Sequence, residues 1–186
     1  MTLAIISDTH GNLVGWQRAW ELILRDADLI IHCGDLLYHG PRFKPAEAYD
    51  PQALAEAMNA CGKPVLVAKG NGDSEVDQLA LDIPIQQPYV FAQVEGTRLL
   101  ATHGHLTPPD QLAPLCAKWG IRWLLTGHTH VPSITHHETF THINPGTPTY
   151  PLDPDTNKRR LTCAVIQGDD AWLVDLTTGE RLDPHT

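Results

Sequence analysis

Seven side chains with oxygen or nitrogen donor atoms stand directly after short apolar runs of this sequence. The seven are Asp8, His10, Asp35, Asn71, His103, His128 and His130. Most of them lie close to a glycine, which lets the backbone approach a compact centre closely. The set contains no thiolate, which disfavours a structural zinc site and suits Mn²⁺, Fe, Zn²⁺ or a similar ion. We therefore predict that these side chains converge on metal.

Each motif taken alone also has a simpler structural explanation. Asp8 could cap the helix that follows it. The segment AKGNGD around Asn71 could be a turn, because glycine and asparagine both tolerate positive φ. His103 could be a solvated loop histidine, whereas the pair His128-x-His130 suits metal binding better than packing. The repetition of such motifs at five strand ends favours the metal interpretation.

The number and charge of the donors indicate two ions rather than one. Seven side chains are too many for a single ion with an open position, but they match two ions that share a carboxylate. Two divalent cations beside Asp8 and Asp35 leave a net charge of about +2, or about +1 with a bridging hydroxide, and the neutral Asn71 keeps the centre positive. The result is an anion site in a chain with 22 acidic and 13 basic residues and a net charge of −9.

Composition and length narrow the class of protein and its partners. The acidic balance repels nucleic-acid phosphate over most of the surface, so no nucleic-acid-binding surface is predicted. The length of 186 residues indicates one domain, 1–186. The four cysteines form no C-x-x-C pair, which fits reduced, mostly buried thiols in a cytosol. The sequence shows neither a signal peptide nor an apolar run near the ~20 residues of a membrane helix. We expect a cytoplasmic protein without a membrane partner, and we leave a homo-oligomer open.

The spacing of apolar residues predicts a strand–helix–strand–loop–helix–strand order in the first part of the chain. Strands are expected at 3–6, 29–31 and 65–68, helices at 13–25 and 52–60, and a proline-containing loop at 39–51. This rhythm indicates a parallel sheet. In open α/β sheets the carboxyl ends of the strands form the ligand crevice, which is where the donors stand.

The second part of the chain reads mainly as hairpins. Turn residues at Glu95-Gly96 and Gly168-Asp169 separate two pairs of predicted strands. A further pair is expected at 133–137 and 139–143, a helix at 111–119 and a buried strand at 123–126. We therefore expect one α/β domain with parallel pairing early and antiparallel pairing late.

The chain resembles the calcineurin-like metallophosphoesterases, and the bacterial YfcE-type phosphodiesterases in particular. The motifs that carry the resemblance, in family order over residues 1 to about 150, are Asp8-Thr9-His10, Gly34-Asp35, Gly70-Asn71-Gly72-Asp73, His103-Gly104-His105 and Gly127-His128-Thr129-His130. The segments at 38–42, 72–78 and 144–147 fit the YfcE-type group. The resemblance implies a two-sheet β-sandwich flanked by helices, the four-layer metallophosphoesterase fold, and two divalent ions. Mn²⁺ is favoured, with Fe, Zn²⁺ or Ni²⁺ as alternatives.

Carried over by position, the resemblance assigns each donor to an ion. One ion would be held by Asp8, His10, Asp35 and His130, and the other by Asp35, Asn71, His103 and His128, so that Asp35 bridges. Two positions depart from the family pattern. Gly72 stands where most members have a histidine that helps at the leaving group or transition state, and Tyr38 stands where the family has an aspartate.

Polar residues near these motifs are candidates for supporting roles. His105 is the candidate catalytic residue in place of the missing histidine, with an ordinary surface histidine as the alternative. Asp73 is expected to hold a ligating imidazole by a hydrogen bond. His39 and Arg42 either contact substrate or belong to an ordinary polar loop. We assign no role to the remaining histidines, which are His32, His136, His137, His142 and His185.

The sequence thus predicts a hydrolase for small phosphate esters, most simply a phosphodiesterase. In this interpretation a hydroxide that bridges the two metals attacks phosphorus in line. Because Gly72 offers no general acid, esters with good leaving groups should react fastest. The alternative is a non-catalytic scaffold of the Vps29-like type, which resembles the fold, lacks part of the ligand set and binds other proteins.

Overall fold

The structure is a computed structural model that describes residues 1–182, so His185 and the end of the predicted 1–186 domain lie outside the described residues. The helices are Leu13–Leu22 (α1), Pro51–Asn59 (α2), Glu75–Ala80 (α3) and Pro109–Trp119 (α4). The strands are Thr2–Ile6 (β1), Leu29–His32 (β2), Val65–Ala68 (β3), Ile85–Gln86 (β4), Val90–Val94 (β5), Thr97–Ala101 (β6), Ile121–Leu125 (β7), Ser133–His136 (β8), Thr141–Asn144 (β9), Thr162–Gln167 (β10), Asp170–Asp175 (β11) and Arg181–Leu182 (β12).

The strands form two sheets. The first has the order β12-β11-β10-β1-β2-β3-β4 and the second β5-β6-β7-β9-β8. The parallel sheet predicted for the first part of the chain is confirmed: Leu3 on β1 lies opposite Leu29 on β2, and Ile30 on β2 lies opposite Val65 on β3. The carboxyl ends of β1, β2 and β3 therefore lie side by side at one edge.

The alternation of side chains along β1 explains how the sheets and helices stack. Ala4 and Ile6 belong to the core beneath α1 and α2, whereas Leu3 and Ile5 belong to the core between the two sheets. The face of the second sheet that is turned away from the first sheet is covered by α4. There Leu112 of α4 belongs to one core cluster with Leu100 of β6 and Leu124 of β7. The resulting order is helices, sheet, sheet, helix, and the predicted four-layer fold is confirmed.

The expectation of late antiparallel pairing is wrong in part. The hairpins β5–β6, β8–β9 and β10–β11 are antiparallel, but β7 pairs in parallel with both β6 and β9. The reason is that α4 connects β6 to β7, and a crossover through a helix returns the next strand in the same direction.

Short elements escaped the sequence analysis. Helix α3 has six residues, too few for a helical period, and it is set by a capping box in which Asp77 Oδ2 accepts from the backbone N–H and the hydroxyl of Ser74 at 2.6 and 2.9 Å. The two-residue strands β4 and β12 complete the ends of the first sheet.

The cysteines are free thiols, as their spacing in the sequence predicts. All four cysteines are free, and Cys33, Cys116 and Cys163 are buried. Burial raises the pKa of the Cys33 and Cys163 thiols, which keeps them protonated. No helix within residues 1–182 combines the length and the hydropathy that a bilayer crossing requires.

Candidate metal centre

The seven predicted donors lie at the carboxyl ends of strands from both sheets. Asp8 and His10 follow β1, Asp35 follows β2 and Asn71 follows β3, whereas His103 follows β6, and His128 and His130 follow β7. A backbone hydrogen bond from Gly127 N to His103 O, 3.2 Å long, ties the two loops of the second sheet together. The structure brings all seven side chains to one place, where the edges of the two sheets meet.

Five of the seven donor residues have a left-handed backbone. They are Asp8 (φ 56), His10 (φ 47), Asp35 (φ 57), His128 (φ 71) and His130 (φ 58). Each such residue costs about 1–2 kcal/mol, so the surrounding structure must hold it in place. The loops do so in pairs: Asp8 N donates to Gly34 O at 2.9 Å, and His10 N donates to Asp35 O at 3.1 Å. Backbone strain is therefore concentrated at the ligand positions.

Two glycines allow the donors to approach one another. A Cβ at Gly70 would overlap the carboxylate and the backbone nitrogen of Asp35, and a Cβ at Gly127 would overlap Ser7 Oγ and lie 2.7 Å from Asp8 Oδ2. Neither position has room for any side chain. The glycines of the motifs are thus required by close packing around the two aspartates.

Three of the imidazole rings are aimed by backbone carbonyls. Nδ1 of His10 lies 2.7 Å from Tyr38 O, Nδ1 of His103 lies 2.8 Å from Cys33 O, and Nδ1 of His130 lies 2.7 Å from Tyr150 O. Because a carbonyl only accepts, each Nδ1 carries a proton and donates it. The Nε2 atoms are left to face the centre of the site.

At that centre, acceptor atoms face one another. Nε2 of His10 lies 3.1 Å from Nε2 of His130, which in turn lies 3.3 Å from Oδ1 of Asp8. This Oδ1 is fully buried and has no hydrogen-bond partner among the described residues. A buried carboxylate oxygen without a partner is costly unless a cation or proton lies beside it. The residues therefore fit a bound metal ion.

A second group of donors lies on the other side of Asp35. Nε2 of His103 is 3.5 Å from Asp35 Oδ1, 3.2 Å from Asn71 Oδ1 and 3.3 Å from His128 Nδ1. The other oxygen, Asp35 Oδ2, lies 3.9 Å from His10 Nε2. One carboxylate thus faces both groups of imidazoles. Two sets of side chains are close enough to hold a cation: Asp8, His10 and His130, and Asp8, Asp35 and His103.

The pKa shifts of these side chains show which of them carry charge when no cation is bound. Burial alone would raise the pKa of Asp8 and Asp35, but the neighbouring imidazoles of His130 and His103 outweigh it, and both pKa values lie below the ordinary range. Burial lowers the pKa of His103, but its contacts with the two aspartates dominate and raise the pKa to about 9. A proton and a metal ion therefore compete for the same Nε2, so metal affinity falls as the pH falls.

The role predicted for Asp73 is corrected by its contacts. It was expected to hydrogen-bond an imidazole, but it accepts from backbone N–H groups instead: Asp35 N and Gly70 N on Oδ2, at 2.9 and 2.7 Å, and Leu36 N on Oδ1, at 2.7 Å. The carbonyls described above already occupy the free nitrogens of three imidazoles, so Asp73 is left to join the loops after β2 and β3. Burial raises its pKa to about 6, and the three amides counteract this rise.

The other predicted residues occupy different surroundings. The ring of His105 lies 5.2 Å from that of His103, and its Nδ1 is buried without a hydrogen-bond partner in the described part of the chain. His39 packs edge-on between Tyr38 and Tyr49, with ring centroids 5.0 and 4.9 Å away, and Arg42 is exposed. The catalytic role of His105 and the substrate contacts of His39 and Arg42 stay predictions.

Two aromatic residues near the centre were not found from the sequence. Phe43 stacks on Tyr150 at 4.4 Å with an interplanar angle of 5°, and its ring lies 5.4 Å from that of His130. Together they form an apolar wall beside His130. Phe43 lies in the proline-containing loop and Tyr150 far along the chain, so no spacing in the sequence links them.

Comparison with known proteins shows which proteins this chain resembles. The family model described as "Calcineurin-like phosphoesterase superfamily domain" matches residues 1–170. The chain is 39% identical over 152 residues to "Phosphodiesterase YfcE" of Escherichia coli K12, which covers 81% of each chain.

Solved structures give the same result for the fold. The structure of the E. coli phosphoesterase Yfce matches with a TM-score of 0.84 and 30% identity, covering 98% of this chain and 97% of the other. Vacuolar protein sorting 29 of Cryptosporidium parvum matches with a TM-score of 0.68 and 19% identity, covering 97% and 94%. At that identity the second match shows a shared fold alone.

Proposed function

Because this chain belongs to the calcineurin-like phosphoesterase superfamily, we propose that it hydrolyses phosphodiesters at a centre that holds two divalent ions. The observation that carries the proposal is the buried Asp8 Oδ1, which has no partner in the described residues and is faced by Nε2 of His130 at 3.3 Å. The name of the E. coli relative, a phosphodiesterase, supports the reaction class.

In this proposal Asp35 would contribute a ligand to both ion sites. Its Oδ2 faces His10 and its Oδ1 faces His103, so each oxygen has its own group of partners. Asp8, His10 and His130 would complete one site, and Asn71, His103 and His128 the other. The side chains are oxygen and nitrogen donors, which suit Mn²⁺, our favoured ion, and also accept Fe, Zn²⁺ or Ni²⁺.

When bound, the ions would supply Lewis-acid stabilisation of the phosphoryl oxygens and an activated hydroxide for in-line attack on phosphorus. The chain's own residues provide the rest. The carbonyls of Tyr38, Cys33 and Tyr150 fix the imidazoles so that no reorientation is needed when substrate binds. We propose that His105, whose ring lies 5.2 Å from that of His103, exchanges a proton with the departing alcohol.

The composition of the centre favours a diester over a more highly charged ester. The seven ligand side chains include neither arginine nor lysine, so the positive charge comes from the ions alone. A small positive excess matches the single negative charge of a phosphodiester. We keep a small phosphate ester as the predicted substrate and the cytoplasm as the predicted location.

The test combines metal content with turnover. Protein reconstituted with Mn²⁺, Zn²⁺, Ni²⁺ or Fe²⁺ should bind about two ions per chain and hydrolyse a chromogenic phosphodiester, and EDTA should abolish the turnover. Asp8→Asn should lower the turnover about a hundredfold or more and reduce the metal content. Asp169→Asn, in the exposed turn between β10 and β11, is the matched control and should change neither.

A reconstituted protein that binds no metal and turns over no ester would contradict the proposal. That result would leave the scaffold interpretation, which the shared fold of the Vps29 structure accommodates. Metal binding without turnover of diesters, but with turnover of monoesters, would keep the centre and change the substrate class.

A further inference from the structure

A large open groove runs between α2 and α3, and its lining includes Gly72, in the loop that follows β3. Its volume is about 720 Å³. Most of its lining is apolar or aromatic and includes Leu37, Tyr38, Tyr49, Ala55, Val76 and Ala80. The predicted function, which concerns only the phosphate, leaves this groove without a role.

Two residues of the groove contact donors of the metal centre. Gly72 lines the groove, and its backbone N–H donates to Asp35 Oδ1 at 2.7 Å. Tyr38 also lines the groove, and its carbonyl is the acceptor that aims His10. The groove therefore adjoins the loops that carry the donors. At this boundary Gly72 has no side chain.

Apolar side chains in the groove are open to solvent. Val76 is 72% exposed, and Tyr38 is 44% exposed. Exposed apolar surface beside a polar centre is typical of a site that covers it with ligand. The loop that contains Gly72 also borders a second cavity of about 380 Å³ with a different lining, which includes Lys69, Asn71 and His105. The apolar groove and this polar cavity thus lie on either side of the same loop.

We infer that the apolar groove binds an aryl or similarly flat apolar ester group of the substrate. The inference rests on the proposed function and names one part of its substrate. Tyr38 would contact the ring edge-on, as it contacts His39 in the structure, and Val76 would cover the ring from α3. The phosphoryl group would remain at the centre, next to Gly72.

Two phosphonates that differ only in the organic group provide the test. Phenylphosphonate and methylphosphonate are titrated by calorimetry into the manganese-reconstituted protein. We expect phenylphosphonate to bind about tenfold more tightly, since burial of an apolar group distinguishes ligands by at least this factor. Tyr38→Ala should reduce the ratio of the two affinities to near unity.

A matched control is available on the other sheet. Phe91 on β5 is an aromatic side chain of similar exposure, 49%, and Phe91→Ala should leave the ratio unchanged. Val76→Ser is a second test on an exposed helix position, so the inference stays testable where Tyr38→Ala does not fold. It should lower the ratio about threefold, because it removes part of the apolar wall.

The outcomes separate this inference from the proposed function. Equal affinities for the two phosphonates in a protein that hydrolyses diesters would overturn the inference alone. Failure to bind either phosphonate, together with absence of turnover, would overturn both. Sedimentation of the same variants covers a third case: if Tyr38→Ala and Val76→Ser change the oligomeric state and not the ratio, a second copy of the chain fills the groove and the inference is wrong.

Discussion

At the scale of single residues, a strong constraint falls on the glycine before Asn71. A Cβ at Gly70 would overlap the carboxylate and the backbone nitrogen of Asp35, whereas a Cβ at Gly72 would lie 3.3 Å from Asp35 Oδ1. We expect Gly70→Ala to destabilise the protein by about 2 kcal/mol, because backbone atoms cannot give way, and to lower its metal content. Gly72→Ala should have only a small effect on either quantity. Urea unfolding and metal analysis of the two variants check this, and equal behaviour would refute it.

The second residue-scale prediction concerns proton donation at the leaving group. Because Gly72 offers no acid, the rate of diester hydrolysis should fall as the pKa of the leaving alcohol rises. Burial and the charges of His103 and His128 lower the pKa of His105, which lies beside the ligands. His105→Gln should slow esters with poor leaving groups about a hundredfold and esters with good ones much less. A rate that does not depend on the leaving group in the wild-type protein would exclude the argument from Gly72, and an unchanged dependence in the variant would exclude the role of His105.

The third residue-scale prediction concerns His32, whose ring is fully buried. Burial lowers its pKa to about 4 from an ordinary value near 6.5. The hydrogen bonds agree, because Gly34 N donates to Nδ1 at 3.1 Å and Nε2 donates to Thr9 Oγ1 at 3.0 Å, so the ring has no place for a second proton. The unfolded chain binds this proton below pH 6.5 and the folded chain does not. The contribution of the neutral His32 to the free energy of unfolding is therefore fully present above pH 6.5. It declines towards pH 4, by up to about 3 kcal/mol.

Urea unfolding of the metal-free protein across this pH window measures the effect. His32→Gln should show a shallower loss of stability between about pH 6.5 and pH 4 than the wild-type protein. His137→Gln, at an exposed histidine, is the control and should keep the wild-type slope. Identical slopes in wild type and His32→Gln would contradict the prediction.

At the scale of secondary-structure elements, Asp73 joins the ends of β2 and β3. It accepts three backbone N–H groups from the loops that carry Asp35 and Asn71. In Asp73→Asn one oxygen becomes an NH₂ group that faces a backbone donor, so the two loops should separate. We expect metal affinity to fall by about ten- to a hundredfold with the ligands themselves intact. Calorimetric titration with Mn²⁺ checks this; Asp77→Asn, which affects the cap of α3, is the control, and equal affinities would exclude the proposed role of Asp73.

The ends of the strands were predictable, whereas the contacts that aim the ligands were not. Parallel strands end at one edge, so donors that follow β1, β2 and β3 must meet, and an apolar run followed by a polar residue is visible in sequence. The imidazoles, however, are held by carbonyls of Tyr38, Cys33 and Tyr150. Every residue has a carbonyl, so this contact leaves no trace in residue type. The parallel pairing of β7 was missed although the helix that causes it had been predicted at 111–119.

At the scale of the whole molecule, the metal centre joins the two sheets. Asp8 and Asp35 come from the first sheet, and His103 and His130 from the second, so ions bound by these side chains would bridge the layers of the sandwich. Metal at about a hundredfold excess over its dissociation constant should add about 3 kcal/mol of stability. For a chain of this length the thermal midpoint would rise by about 5–10 °C.

Circular-dichroism melting with and without EDTA checks this prediction. The wild-type protein should lose the added stability on chelation, whereas Asp8→Asn should melt at the same temperature in both conditions. An EDTA-insensitive midpoint for the manganese-loaded wild-type protein would show that the ions do not link the sheets.

The pairing of β1 with β10 has a consequence for biosynthesis. Strand β1 lies between β2 and a strand that begins at Thr162, and the carbonyl that orients His130 belongs to Tyr150. A nascent chain therefore has neither both neighbours of β1 nor a complete set of oriented imidazoles until residues 150–167 have been translated. We expect the centre to take up metal only after this segment has joined the fold.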